Sequence, residues 1–264
     1  VSILNLPEPT NWVGSWRRIA LVIAGTYVFV GWFVYLACRA AVRGDYLTAV
    51  GVGTFVGFPI VLVTALGYVA GGWTSLRTGN DATGTKIHAD RIFEWSMYLG
   101  IASFTVGATL IAIFLPRGMI DLSVTRGWRL AAPIVLVPAV IFAVRGLYTA
   151  YKRGGMGYVK LTPAGLDIAN IISNDIVEWD DVVAIHDHSE DKKTRKAAVL
   201  TLKDGEEKII DGLDFYVPRG APLFWMVRHY WLHPDDRTEL VDGRALDRLK
   251  AGRFEVEESG PSPD

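Results

Sequence analysis

Two histidine pairs have the spacing in this chain that comes nearest to metal chemistry. His186 and His188 are i and i+2 in an alternating stretch, so a strand would point both the same way. His229 and His233 are i and i+4 in a helical stretch and share one helix face. Were the strand and helix to abut, the pairs could supply the converging ligands that zinc requires. Neither pair lies in a His-Glu-x-x-His setting, so the expectation is structural or solvated histidines and no metal.

The remaining candidates carry less. Gly79–Lys86, GNDATGTK, has the outline of a phosphate-binding loop, but Thr85 separates Gly84 from Lys86 and an apolar span precedes it instead of a buried strand. It reads as a loop. Lys192, Lys193, Arg195 and Lys196 form a basic cluster suited to anionic headgroups, where each cation near a membrane contributes about 1 kcal/mol. Glu190 and Asp191 flank the cluster, and a solvated hairpin tip is the plainer reading. Asp175, Glu178, Asp180 and Asp181 lack the spacing of a calcium loop and read as a solvated strand edge. Cys38 is the single cysteine, inside an apolar run without an evident histidine partner. No Gly-x-Ser-x-Gly elbow occurs. No catalytic residue and no cofactor is assigned, and the chain is not expected to be an enzyme.

These residues sit in a chain of two halves. Half of its 264 residues are hydrophobic, yet 21% are charged, and the two kinds are segregated. Up to about Ala150 long apolar runs dominate, and beyond it Asp, Lys and Arg are frequent. A formal net charge of −1 gives no case for a nucleic-acid partner. The opening VSILNLPEPTNW has no basic segment leading to a cleavage site, so no removable signal peptide is expected.

Four runs are long enough to cross a hydrocarbon core of about 30 Å, at about 19–38, 47–72, 95–115 and 130–151. Before them, residues 1–15 read as a peripheral arm, and Trp12 and Trp16 with Arg17 and Arg18 mark an interface. The second run, 47–72, has no charge but many glycines, which a soluble helix would tolerate poorly at about 1 kcal/mol each. In lipid the helix is enforced, and Gly53-x-x-x-Gly57 and Gly67-x-x-x-Gly71 let a neighbouring helix approach closely. Gly53, Gly57, Gly67 and Gly71 are therefore the candidate helix-packing or partner-binding residues. Residues 74–94 read as a polar loop, and Arg145 in the fourth run is placed to snorkel to the interface.

An even number of spans puts both termini on one side. Arg17, Arg18, Arg77, Lys86, Arg91, Lys152 and Arg153 flank the spans there, against Arg39, Arg43, Arg117, Arg126 and Arg129 on the other side. The expectation is a multi-pass protein of the cell's inner (plasma) membrane with both termini cytoplasmic.

From Tyr158 the period changes to alternation, with turns at Thr162–Gly165 and Asp204-Gly205. Strands are expected near 158–161, 166–171, 176–179, 182–188, 197–202 and 206–210, then helices over 221–232 and 242–250. YVKLTPAGLDI resembles the opening hairpin of bacterial membrane-tethered PH-like domains, and IVEWDDVVAI their tryptophan-containing strand, with Trp179 in the tryptophan position. The resemblance implies a PH-like β-barrel with a C-terminal helix over 155–250, and it says little about ligand. A disordered tail over 251–264 follows by composition.

The whole layout also resembles the accessory subunit of actinobacterial MCE-type lipid (fatty acid or mycolate) importers. That resemblance implies a four-transmembrane-helix bundle (residues 1–151) followed by a small α+β domain, acting as a non-enzymatic accessory or scaffold subunit. Its partners would be integral membrane subunits of a transporter or other complex, together with membrane lipids. The alternative is a stand-alone membrane sensor whose PH-like domain contacts anionic headgroups or a cytoplasmic protein.

Overall fold

The computed structural model describes residues 6–12, 16–169 and 174–256, with backbone only for 16–19. Four long apolar helices and a small antiparallel sheet domain make up these residues. The helices are α1 (Trp16–Val42), α2 (Tyr46–Ala70), α3 (Arg91–Phe114) and α4 (Arg126–Arg153). Each is long and apolar enough to cross a membrane, which makes this a multi-pass membrane protein by length and composition. Helices α1 and α4 run past both expected ends and α3 begins four residues early, because polar flanks continue the same helices, whereas α2 stops at Ala70, two residues short of the expected end. The anchors Trp16, Arg17 and Arg18 lie where side chains are not described.

The bundle has an inner pair. A third of the α3 window (33%) and 28% of the α2 window are buried, against 6% for α1 and for α4. Small residues explain the α2–α3 contact. At Gly107 a Cβ would stand 2.2 Å from the Phe55 backbone nitrogen, so only glycine permits this approach. Ser103 on the same face of α3 donates to the Thr54 carbonyl at 2.7 Å. Pro59 in α2 and Pro133 and Pro138 in α4 stay inside continuous helices, as neighbouring groups in a membrane bundle allow.

The stretch 74–94, expected as a polar loop, is a hairpin. Strand β1 (Arg77–Asp81) pairs antiparallel with β2 (Gly84–His88). The Asp81 carboxylate closes the turn by accepting from the Thr83 and Gly84 amides at 2.8 and 3.0 Å. β2 then pairs with β3 (Tyr158–Leu161), which follows α4, and the sheet continues through β4 (Gly165–Ala169) to β5 (Asn174–Glu178). A partner strand some seventy residues distant leaves no local signal, which is why the hairpin reads as a loop. A second sheet holds β6 (Val182–His186), β7 (Ala198–Leu202) and β8 (Glu207–Ile210). The five-stranded and three-stranded sheets remain separate and do not close into a barrel. Helices α5 (Ala221–Leu232), α6 (Glu239–Asp242) and α7 (Arg244–Ala251) complete the domain.

One apolar core unites this domain. It contains Ile87 and Ala89 from the hairpin segment, Val159, Leu166 and Trp179 from the sheet region, and Leu223, Met226 and Tyr230 from α5. The compact unit therefore draws on residues before α1, between α2 and α3, and after α4. Trp12 is part of the same core, and its indole N–H donates to the carbonyls of Asp187 and Ala197 at 3.0 and 3.2 Å. Trp12 thus serves as a core residue of the domain. Of the expected tail, Phe254 and Val256 pack against the core; residues 257–264 and Ile171 lie outside the described residues.

The quoted domain motifs meet in space. The Trp179 indole donates to the Thr162 carbonyl of the Thr-Pro-Ala-Gly turn at 2.8 Å, and Thr162 Oγ1 accepts from the Gly165 amide at 3.0 Å. A Cβ on Gly165 would stand 2.1 Å from the Val177 carbonyl oxygen, so the turn needs glycine where β4 meets β5.

Candidate functional site

The glycine candidates are used inside the chain. A Cβ on Gly57 would reach 2.4 Å from Ser103 Oγ, so Gly57 faces α3. Gly53 faces α1, with the Ala37 methyl 4.0 Å from its Cβ position, and Gly67 likewise meets Ile23 at 4.0 Å. Gly71 lies just beyond α2, and a Cβ there would stand 3.2 Å from the Trp73 ring.

The basic cluster divides into two halves. Arg195 donates to the buried Asp214 carboxylate at 2.6 Å and stacks its guanidinium over Phe215. Lys196 pairs with Glu8 at 2.8 Å and donates to the Arg219 carbonyl. Lys192 and Lys193 are exposed and have no ion pair among the described residues. Asp214 itself is 1% exposed, and burial pushes its carboxyl above the usual range while Arg195 and Lys196 oppose that shift.

Nor do the histidine pairs converge: among the described residues no three His, Cys, Asp or Glu side chains are grouped to hold a metal. His188 bonds Asp187 at 2.9 Å, and His186 lies exposed on β6. The His229 and His233 rings lie 4.6 Å apart and tilted by 39°, within a network that ties α5 to α6 and α7. There His229 Nε2 meets Asp236 at 3.0 Å, Arg248 grips Glu239 through two nitrogens at 2.6 and 2.7 Å, and Tyr230 donates to Glu239 at 3.1 Å. Burial, with the Arg248 charge, holds the His229 imidazole below its ordinary pKa despite Asp236. Its Nδ1 is buried without a hydrogen-bond partner among the described residues. The Lys86 ammonium of the phosphate-loop lookalike sits 3.6 Å over the Tyr158 ring.

Asp90, read as one of several loop charges, is wholly buried and caps α3 by accepting from the Phe93 amide at 2.9 Å. It also accepts from the Ser75 amide and hydroxyl at 2.8 and 2.7 Å. Burial opposes ionisation, but these donors outweigh it and keep the carboxyl below the usual range.

No protein-family model, curated protein or solved structure matches the chain. The geometry therefore stands alone, and it adds one feature that sequence patterning did not mark. A cavity of about 240 Å³ lies among the spans, lined without a polar atom by residues that include Phe33, Phe55, Ile111, Leu122, Trp128 and Leu136. Its lining comes from all four spans and the link between α3 and α4. Only the concentration of aromatic and branched residues at these helix ends could have drawn attention to it.

Proposed function

We propose that this chain is a non-enzymatic accessory or scaffold subunit of a membrane complex. The observation that carries this reading is the three-segment assembly of the sheet domain around one core. A module built from residues flanking the spans at three places is held by the chain itself, unlike a sensor at the end of a flexible tether. The buried His229 and Asp214 networks also read as fastenings between elements. Half of the basic cluster is committed to internal partners, which weakens the alternative of a headgroup sensor acting through that tip.

The finer parts of the reading follow from resemblance. A PH-like character of the domain is supported by the contact between Trp179 and the Thr162–Gly165 turn. Membership of an MCE-type lipid importer is supported by the layout of four apolar spans before a small α+β domain. Both termini and the domain are placed in the cytoplasm, on the support of the seven flanking cations against five.

Gentle extraction of the full chain from native membranes, followed by quantitative mass spectrometry, tests the proposal. Multi-span transporter subunits in amounts comparable to this chain are expected. Recovery of the chain without any stoichiometric membrane partner would overturn the scaffold reading.

A further inference from the structure

The apolar cavity lies at the end of the bundle formed by the α1–α2 and α3–α4 links. Leu122 and Val124 of the second link line it, as do Trp128, Ala132 and Leu136 of α4. From Arg126 to Leu136 the helix rises about 15 Å, roughly the depth of one leaflet. The lining is wholly apolar, and its volume exceeds the roughly 150 Å³ of a cavity that takes up benzene. Trp128 and Val135 on its rim are 64% and 60% exposed, so the cavity opens to the outside of the bundle. A hydrocarbon chain entering from the surrounding lipid fits such a space.

The charges at this end select the head of that chain. Arg39, Arg43, Arg117, Arg126 and Arg129 stand there against Asp45 and Asp121. Asp121 is already paired with Arg43 at 3.1 Å, and Asp45 caps α2 through the Thr48 amide at 3.1 Å. Among the described residues Arg126 and Arg129 have no carboxylate partner. Arg129 is half-buried and lies i, i+3, i+7 with Ala132 and Leu136 on the stripe that lines the cavity. Its Nη1 is 3.9 Å from the Cβ position of Gly118, in the link that follows Leu115 on the cavity wall. An unpaired guanidinium at the open end of an apolar cleft, at the depth of a membrane interface, is complementary to a lipid phosphate.

We propose that this end of the bundle binds one anionic glycerophospholipid, with an acyl chain in the cavity and its phosphate on Arg129 and Arg126. The site is independent of the scaffold reading and of the sheet domain.

The test uses the full chain in mild detergent with equimolar palmitoyl-oleoyl phosphatidylglycerol and phosphatidylcholine, bound lipid being read by native mass spectrometry. The wild type should retain the anionic lipid over the zwitterionic one by about thirtyfold, the effect expected of two interfacial cations. The R126Q/R129Q variant changes only the polar ends of two side chains, and its preference should fall to parity. Ala132→Phe should expel the lipid by filling the cavity. Equal retention of both lipids by the wild type, or an undiminished preference in R126Q/R129Q, would overturn the proposal. So would a lipid retained by a folded Ala132→Phe protein. Should Ala132→Phe fail to fold, the arginine variant still decides.

Discussion

Ile87 and Val159 stand opposite each other on β2 and β3, both wholly buried, although α3 and α4 separate them in the chain. This pair joins the hairpin between the second and third helices to the strand that follows the fourth. Truncation of Ile87→Ala should destabilise the sheet domain by about 2–5 kcal/mol, the cost of removing a buried aliphatic side chain. Limited proteolysis of the purified protein would show it as faster cleavage after residue 155; an unchanged rate would mean that the hairpin is dispensable to the core.

The same pairing constrains topology. In a C38S background, cysteines at Ala82 and Lys203 should react with an impermeant maleimide under the same condition, and one at Ser123 under the opposite condition. All three positions are exposed. Labelling of Ala82 together with Ser123 would contradict a crossing by α3, and labelling of Lys203 together with Ser123 a crossing by α4.

Helix packing makes a prediction that separates the glycines. Gly107→Ala places a methyl against the Phe55 backbone and should cost about 1–3 kcal/mol in detergent stability. Gly53→Ala meets only the Ala37 methyl at 4.0 Å and should change stability by less than about 0.5 kcal/mol. Thermal aggregation curves of the two proteins should rank them in that order.

The basic cluster should behave as two separate pairs of residues. Arg195→Ala leaves the buried Asp214 unpaired and should cost about 2 kcal/mol, less than the loss at a fully buried pair because Arg195 retains contact with water. Replacing Lys192 and Lys193 together by alanine should shift stability by less than about 0.5 kcal/mol. Equal effects in a chemical-unfolding titration would contradict the division.

His229 gives the domain a pH dependence of known sign. Its folded pKa lies below the ordinary 6.5, so in the interval between the two values the unfolded chain binds more protons. The contribution is complete above 6.5 and is lost as pH falls toward and through the folded value. The groups around it are Asp236, Arg248 and His233, of which only Asp236 favours the imidazolium. Thermal melting should therefore decline between pH 6.5 and the carboxylate range, and a His229→Gln protein should lack that part of the decline. Identical pH profiles for the two proteins would remove His229 as the cause.

Much of the layout is written in local patterns. Apolar length alone defines the spans, because a helix is what an isolated chain must form in lipid, and their number and order follow directly. The Thr162–Gly165 turn, the Asp204-Gly205 hairpin and α5 over 221–232 are also legible, since turn chemistry and helical period act over a few residues. What tertiary structure decided are the pairings between distant segments. The hairpin 77–88 finds its partner in β3, Trp12 finds its acceptors at Asp187 and Ala197, and Arg195 finds Asp214. Gly53 and Gly57 have a visible spacing, but only packing shows that they face different helices, α1 and α3. The unpaired guanidinium of Arg129 and the cavity beside it belong to the same class. Burial, pairing and enclosed space depend on what the folded chain brings near, and no local period encodes that.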